Sequence, residues 1–208
     1  MKVLILNGSP NENGCTARAL REVEKVLLAE GLETEFVTIG NKNIRGCVGC
    51  YGCKRGAGKC VIDDDLGDLF EKFQESDGLL VGSPVYFAGA NGTLIAALDR
   101  LFFGAGFDRS LRVGAAVVSS RRAGSTTAFD EINKYFTISG MPVASSTYWN
   151  EVHGRSAADV DKDLEGLQVM RNLGHNMAFL IKSIALGKEK FGAPEKEFGA
   201  FTSFCDGL

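Results

Sequence analysis

The first twenty residues, MKVLILNGSPNENGCTARAL (residues 1–20), decide the fold. They begin with a short apolar run at residues 3–6, which has the length and composition of a buried strand. A polar, glycine-containing loop follows, and beyond it Leu20, Val23 and Leu27 recur at the spacing of one helix face. Strand, loop and helix in this order predict the first unit of an α/β protein with a parallel sheet.

The same alternation continues along the chain. Further strands are predicted at residues 33–39, 78–82 and 113–118, and a short fifth strand is predicted to begin at Val143-Ala144. Helical periodicity is found at residues 66–73, where Asp63, Asp64 and Asp65 resemble an N-cap region, and at residues 94–101, 127–137 and 157–186. These patterns predict five strands and about five helices.

Composition and charge exclude several classes of protein. The chain has 208 residues, 45% of them hydrophobic, which is enough for one domain with its own core. Its 23 Lys and Arg against 26 Asp and Glu argue against a nucleic-acid-binding surface, because such surfaces carry a basic excess. The run at residues 3–6 is too short for a secretion signal, and no stretch approaches the roughly 20 apolar residues of a membrane span. We therefore expect a soluble, cytoplasmic protein that binds neither nucleic acid nor membrane.

The loop Gly8-Ser9-Pro10-Asn11-Glu12-Asn13-Gly14-Cys15-Thr16 is typical of a phosphate site. Backbone N–H groups and the positive end of a helix dipole converge there, and the Ser, Asn and Thr side chains add donors. The loop has neither the lysine of a Walker motif nor a G-x-G-x-x-G pattern, which disfavours an NTPase and a Rossmann dinucleotide site. The alternative interpretation is that these residues only form a turn and cap the helix.

A second loop, Ser83-Pro84-Val85-Tyr86-Phe87-Ala88-Gly89, follows the third predicted strand. Ligands of open α/β sheets bind outside the carboxyl ends of the strands, where this loop and the first one meet. Its aromatic pair suits a flat heterocycle. The alternative is that Tyr86 and Phe87 are ordinary core residues.

Four of the six cysteines, Cys47, Cys50, Cys53 and Cys60, fall within one glycine-rich segment. Two-residue spacings allow neighbouring thiolates to converge on one polynuclear centre, which fits a [4Fe–4S] cluster. A tetrathiolate Zn²⁺ site uses the same ligands, and the thiols are also consistent with no metal at all. All three interpretations remain open on spacing alone.

Three separated motifs together resemble a known family. They are the Gly-Ser-Pro-x-x-x-Gly-x-Thr loop at residues 8–16, the Ser83–Phe87 loop with Leu98-Asp99-Arg100 behind it, and Tyr148-Trp149-Asn150-x-Val152-His153-Gly154. Over residues 1–186 the chain resembles the flavodoxin-like NAD(P)H-dependent FMN reductases and is most similar to their iron-sulfur flavoprotein branch. The resemblance implies a doubly wound α/β fold with a five-stranded parallel sheet in the order 2-1-3-4-5.

The resemblance also implies a division of the chain and a set of site residues. Residues 1–186 would form the FMN-binding domain, with a cysteine-rich cluster loop inserted at 44–62, and residues 187–208 would form a tail. The residues that would hold the FMN phosphate are Ser9, Asn11, Gly14, Cys15 and Thr16; those along the isoalloxazine and ribityl are Pro84, Val85, Tyr86 and Phe87; those at the polar edge of the ring are Ser119 and Ser120. Relatives commonly have Asn or Ser where this chain has Cys15.

The function implied is FMN-dependent transfer of electrons from NAD(P)H or a ferredoxin-type donor to a small acceptor such as a quinone, a flavin or an oxygen species. No catalytic side chain is expected, because the flavin carries the chemistry. The cysteine motif is expected to hold a [4Fe–4S] cluster, and the chain is expected to assemble as a homodimer or homotetramer. The alternatives are an electron carrier without its own substrate, and a protein whose cysteines bind zinc or no metal.

Overall fold

Five parallel strands form the centre of the molecule in the computed structural model, which describes residues 1–200 and 202. They are β1 (Lys2–Asn7), β2 (Glu33–Thr38), β3 (Gly78–Pro84), β4 (Val113–Ser120) and β5 (Glu151–His153). The strands pair in the order β2-β1-β3-β4-β5, which confirms the predicted topology. The order reverses between β1 and β3, so the edge at their carboxyl ends is the place where such a sheet binds ligands.

Helices cover both faces of the sheet. They are α1 (Cys15–Ala29), α2 (Leu69–Gln74), α3 (Gly92–Gly104), α4 (Ser125–Ile138), α5 (Ala157–Val160) and α6 (Leu164–Phe191). Val3 and Ile5 of β1 belong to the core formed with α1 and α6, whereas Leu4 and Leu6 belong to the core formed with α2, α3 and α4. Because successive strand side chains point to opposite faces, a strand covered on both sides must be apolar at every position. In the part of the chain that is described, no helix combines the length and the apolar character needed to cross a membrane.

The fifth strand differs from the prediction. Val143 makes one isolated bridge to Gly114, and the strand itself lies further along the chain at Glu151–His153. The Pro142 carbonyl accepts from Gly114 N–H and the Gly114 carbonyl accepts from Ala144 N–H, but the chain then leaves the sheet. The prediction of a strand beginning at Val143-Ala144 is therefore wrong, because this edge of the sheet is split by the loop before β5.

Two helix predictions also needed correction. The predicted helix at residues 66–73 begins as a turn and becomes α2 only at Leu69, because the Asp64 carboxylate caps Leu66 N–H at 3.2 Å while also binding Arg100. The predicted helix at residues 157–186 is two helices, α5 and α6, and the second continues to Phe191. The Asp163 side chain caps the start of α6 by accepting from Gly166 N–H at 2.9 Å. The division into a domain at 1–186 and a tail at 187–208 stays a prediction.

Candidate functional site

The carboxyl ends of β1, β3 and β4 open into a cleft of about 340 Å³. Nine of the eleven predicted cofactor residues line it: Ser9, Asn11, Gly14, Cys15, Thr16, Pro84, Val85, Ser119 and Ser120. Asn13, Arg121 and the segment 154–157 complete the lining. The structure thus brings the first loop and the ends of the third and fourth strands together at one place.

The first loop is ordered by its own side chains. Asn7 Oδ1 accepts from Ser9 N–H, Ser9 Oγ accepts from Asn11 N–H, and Asn11 Oδ1 accepts from Asn13 N–H, each at 3.1 Å. Each of these side chains binds the backbone two residues later, which is the hydrogen-bond pattern of Asx and Ser/Thr turns. The loop conformation is therefore fixed by contacts within the chain.

Gly40, just after β2, packs directly on this loop. A Cβ at Gly40 would lie 2.3 Å from the Gly8 carbonyl oxygen and 2.5 Å from the Pro10 nitrogen. Only glycine allows so close an approach of two backbone segments. Sequence reasoning missed Gly40, since its importance depends on the pairing of β2 beside β1.

The start of α1 has the properties of an anion site. Its N-cap residue is Gly14, which offers no side chain to cap the helix. Thr16 N–H and Ala17 N–H have no hydrogen-bond partner among residues 1–200 and 202. Thr16 Oγ1 lies 2.8 Å from Ser119 Oγ, and both side chains are buried. Free N–H groups at a helix N-terminus beside two hydroxyls are donors of the kind that a phosphate monoester requires.

Cys15 is part of the backbone of this site, but its side chain adds no charge there. Burial raises the pKa of its thiol above the ordinary value, despite a hydrogen bond from its own N–H that acts in the opposite direction. The thiol therefore stays neutral at pH 7 and places no negative charge beside a phosphate. Arg121 adds positive charge to the same lining.

Tyr86 and Phe87 lie on a tight turn beside the cleft, outside its lining. Tyr86 and Gly89 exchange backbone hydrogen bonds of 2.9 Å in both directions, and Phe87 and Ala88 between them have φ values of 50° and 63°. Left-handed backbone at two successive residues with side chains costs about 1–2 kcal/mol each. Phe87 is fully exposed. The assignment of both aromatic residues to a flavin ring stays a prediction.

Neighbouring groups hold this strained turn in place. Glu131 of α4 accepts from Ala90 N–H at 2.8 Å, and Ser83 Oγ accepts from Asn91 N–H at 2.9 Å. Val85 N–H donates to the Ser119 carbonyl at 3.0 Å. The turn therefore keeps one conformation at the mouth of the cleft.

The segment after β5 completes the cleft, and sequence reasoning assigned no part of it to the site. Ser156 and Asp159 form a capping box at the start of α5, which fixes residues 154–157 against the cleft. The Ser-x-x-Asp pattern was the available signal in the sequence. His153 Nδ1 lies 3.1 Å from Ser120 Oγ, so this histidine orients a hydroxyl of the lining.

The four clustered cysteines line a second, small pocket. Cys47, Cys50, Cys53 and Cys60 share it with Tyr51, Val61, Phe103 and Arg100. Between Cys47 and Cys60 the chain has no regular secondary structure apart from a three-residue 3₁₀ turn at Gly52–Lys54. All five cysteines that the structure describes are free thiols. Cys205 lies outside the described residues.

The donor set of this pocket fits a sulfur-ligated metal centre. Four soft sulfur ligands, a mostly apolar surround and one buried cation suit an iron–sulfur cluster or a zinc ion. Across residues 1–200 and 202, no three His, Cys, Asp or Glu side chains are gathered closely enough to hold a metal ion. The pocket therefore brings the four cysteines together without closing them on one point.

Arg100 of α3 forms a buried ion pair with Asp64 behind the cysteine pocket, with Nη1 2.5 Å from Oδ2. Burial lowers the pKa of the guanidinium, but the hydrogen bonds to Asp64 and Cys60 outweigh it and leave the pKa above its ordinary value. Burial likewise raises the pKa of Asp64, but hydrogen bonds from Arg100 and two backbone N–H groups bring it below the ordinary value. Both groups are therefore charged at neutral pH.

Comparison with known proteins agrees with this geometry. The profile of the NADPH-dependent FMN reductase family matches residues 1–155. An iron-sulfur flavoprotein of Methanocaldococcus jannaschii is 36% identical over 192 residues, which cover 88% of this chain and 99% of the relative. An iron-sulfur flavoprotein of Methanosarcina thermophila is 28% identical over 194 residues, covering 91% of this chain and all of the relative.

Solved structures support the same fold. The structure of RosB with a bound 8-demethyl-8-formylriboflavin-5'-phosphate superposes with a TM-score of 0.71 at 16% identity, covering 99% of this chain and 92% of that one. An archaeal flavodoxin superposes with a TM-score of 0.60 at 15% identity, and the match covers 88% of this chain and 99% of the flavodoxin.

The sheet order and the cleft at its carboxyl edge define a flavodoxin-like protein of the FMN-binding, oxidoreductase class. The chain belongs to the NADPH-dependent FMN reductase family and, within it, to the iron-sulfur flavoprotein branch.

Proposed function

We propose that this protein binds FMN in the cleft and a [4Fe–4S] cluster through Cys47, Cys50, Cys53 and Cys60, and transfers electrons from NAD(P)H or a ferredoxin-type donor to a small acceptor. The acceptor class is a quinone, a flavin or an oxygen species. The observation that carries the proposal is the presence, on one flavodoxin-like fold, of a helix start without a side-chain cap in a cleft and a separate pocket with four cysteines.

When bound, FMN exchanges two electrons with a nicotinamide and one electron at a time with an iron–sulfur centre. The chain holds the phosphate with the N–H groups and hydroxyls at the start of α1, from Ser9 to Thr16. Pro84 and Val85 would give the cleft an apolar wall for the ring, and the Ser120 hydroxyl would face its polar edge. The Ser119 hydroxyl, predicted for the same edge, lies 2.8 Å from Thr16 Oγ1 and would therefore lie nearer the phosphate. Ser120 is held by His153, which fixes the direction of its hydroxyl.

We also propose that the protein is a cytoplasmic homodimer or homotetramer. The exposure of Phe87 beside the cleft, and of Tyr148 and Trp149 just before β5, supports assembly, because exposed aromatic side chains are common at interfaces. Light scattering coupled to gel filtration measures the mass, and a monomer at micromolar concentration would contradict this part.

Anaerobic purification with FMN, iron, acid-labile sulfide and zinc quantified per chain tests the cofactors. We expect about one FMN, four irons and four sulfides. Cys50→Ser should lose most of the iron and retain FMN, whereas Cys205→Ser, the matched control outside the motif, should retain both. FMN with zinc, or FMN without metal after anaerobic reconstitution, would overturn the cluster and leave a flavin reductase.

Steady-state turnover of NAD(P)H with small acceptors tests the reaction itself. Turnover that depends on bound FMN is expected. A loaded protein that is reduced by a protein donor but turns over no small acceptor would instead be an electron carrier.

A further inference from the structure

Arg100 uses every hydrogen-bond donor that its side chain has. Its side chain is only 1% exposed. Nε–H donates to Cys60 Sγ at 3.2 Å, Nη1 donates to the Arg45 carbonyl at 2.9 Å and to Asp64 Oδ2 at 2.5 Å, and Nη2 donates to the Ile62 carbonyl at 3.2 Å and to Asp64 Oδ1 at 3.0 Å. A guanidinium has five N–H donors, and all five have acceptors here.

These acceptors lie at both ends of the cysteine segment. Arg45 precedes Cys47, while Ile62 and Asp64 follow Cys60. Asp64 links the two ends of the segment a second time, since its Oδ2 also accepts a hydrogen bond from Arg45 N–H at 2.9 Å. One side chain on α3 therefore ties the start of the segment to its end and ties both to the body of the fold.

Stability of the fold alone does not account for this arrangement. A buried ion pair is often no more stabilising than apolar side chains of the same volume, because both charges must leave water. The pair here also directs a charged N–H at a sulfur atom, and a neutral thiol is a weak acceptor. A thiolate bound to a metal is a much better acceptor for a charged donor.

We propose that Arg100 is a positioning residue for the cysteine site: it holds the two ends of residues 45–64 together before the metal arrives, and it donates Nε–H to the Cys60 sulfur of the bound centre. The inference rests on the proposed function, since it takes the four cysteines to be the ligands of a cluster.

Hydrogen exchange on the metal-free full-length protein tests the first half. Arg100→Lys keeps the positive charge but loses the five N–H donors of the guanidinium. Amide exchange within 45–64 should therefore rise at least tenfold, while the amides of β1 and β4 stay protected. Arg112→Lys is the matched control, because Arg112 is a partly buried arginine that donates elsewhere, to the Ser76 carbonyl. Equal exchange in wild type and Arg100→Lys would overturn the positioning role.

The midpoint potential of the reconstituted centre tests the second half. Loss of an N–H donated to a ligand sulfur destabilises the reduced, more negative state, so Arg100→Lys should have a lower potential than wild type at equal iron and sulfide content. An unchanged potential would overturn the contact to Cys60. Arg112→Lys should match wild type.

A second variant covers the case in which Arg100→Lys does not fold. Asp64→Asn keeps the Nε–H donor and loses the carboxylate, so exchange within 45–64 should rise while the midpoint potential stays close to that of wild type. Unchanged exchange in Asp64→Asn would overturn the inference. A wild-type chain that binds neither iron nor sulfide would overturn the proposed function, and the exchange experiment would still decide whether Arg100 orders the segment.

Discussion

At the scale of single residues, the cleft depends on places where a side chain has no room. Gly40 is one of them, since the chain just after β2 must pass close to the backbone of the loop at residues 8–10. A methyl group there meets backbone atoms that are themselves fixed by hydrogen bonds, so the loop has to move.

Gly40→Ala should therefore weaken FMN binding by at least tenfold, because the displaced loop no longer directs its N–H groups at one point. Fluorescence titration of the FMN-free protein measures the dissociation constant. Gly187→Ala is the control, since a Cβ there has nothing within 4 Å and lies on α6. An unchanged dissociation constant for Gly40→Ala would contradict the role of this contact.

The sequence predicted which residues line the cleft better than it predicted the contacts that shape it. Polar residues between a strand and a helix indicate a phosphate site locally, because loop and helix start are neighbours in the chain. Gly40 and Arg100 act through contacts with segments that are distant in sequence, so no local pattern could reveal them. The position of Phe87 was not predictable either, since a turn with two left-handed residues carries no glycine signal.

At the scale of elements, α1 and α6 pack closely through Gly174. A Cβ on Gly174 would lie 2.7 Å from Val26 Cβ and 3.2 Å from the Val23 carbonyl oxygen. The two helices form one face of the molecule, and their side chains share a core with Val3 and Ile5. Small residues at such crossings allow the helix backbones to approach.

Gly174→Ala should lower the free energy of unfolding by about 1–3 kcal/mol through overpacking. The same substitution at Gly187, further along the same helix and in open space, should raise it by up to about 1 kcal/mol through helix propensity. Denaturant unfolding of both variants makes the comparison. A stabilised Gly174→Ala would show that the helices separate without cost.

The same pair of helices is also joined by charge. Glu22 of α1 accepts from Arg171 of α6 at 2.7 Å and from Arg18 at 3.0 Å, with its side chain 12% exposed. Burial raises the pKa of Glu22, but the two arginines outweigh it and hold the pKa below its ordinary value of 4.5. A carboxylate with a lowered pKa stabilises the fold above its unfolded pKa and stops doing so as the pH falls through the folded pKa.

Glu22→Gln should lose about 1 kcal/mol of unfolding free energy at pH 7, because both arginines lose a charged partner. The difference from wild type should begin to shrink as the pH falls below 4.5, where the unfolded chain takes up a proton, and should be lost once the pH has fallen through the lowered pKa of the folded state. Unfolding at a series of pH values gives this curve, with Glu189→Gln as a control on an exposed position. A difference that stays constant down to pH 3 would mean that charge is not its cause.

Element boundaries were predictable where periodicity was strong and wrong where hydrogen bonds override it. The alternation of apolar runs correctly predicts β1, β3 and β4, since these strands are buried on both faces. Val143 and β5 pair with different parts of β4 and are separated by a loop. The sequence of neither segment shows this pairing. The break between α5 and α6 results from the Asp163 cap inside an otherwise helical pattern.

At the scale of the whole molecule, α3 connects the two candidate sites. It begins where the loop beside the cleft ends, at Asn91, and it ends beside Cys60, where the Gly104 Cβ position lies 3.3 Å from Cys60 N. Its 13 residues span roughly 20 Å. The cleft and the cysteine pocket share no lining residue.

Removal of the metal with a chelator should therefore change the FMN dissociation constant less than about twofold, because sites this far apart contribute nearly independently. Anaerobic titration of FMN into chelated and untreated protein makes the test. Cys50→Ser, which lacks one ligand, should behave like the chelated protein. A tenfold loss of FMN affinity would show that the cysteine segment shapes the cleft.

The order of the proposed phosphate-binding loop, residues 7–13, has a calorimetric consequence. Because Asn7, Ser9 and Asn11 already hold the loop through bonds within the chain, the incoming phosphate displaces water and does not fold a segment. Coupled folding would add a large negative heat capacity change and an unfavourable ordering entropy to the binding. The heat capacity of flavin binding is then set by the apolar ring surface that leaves water, and the loop contributes almost nothing to it.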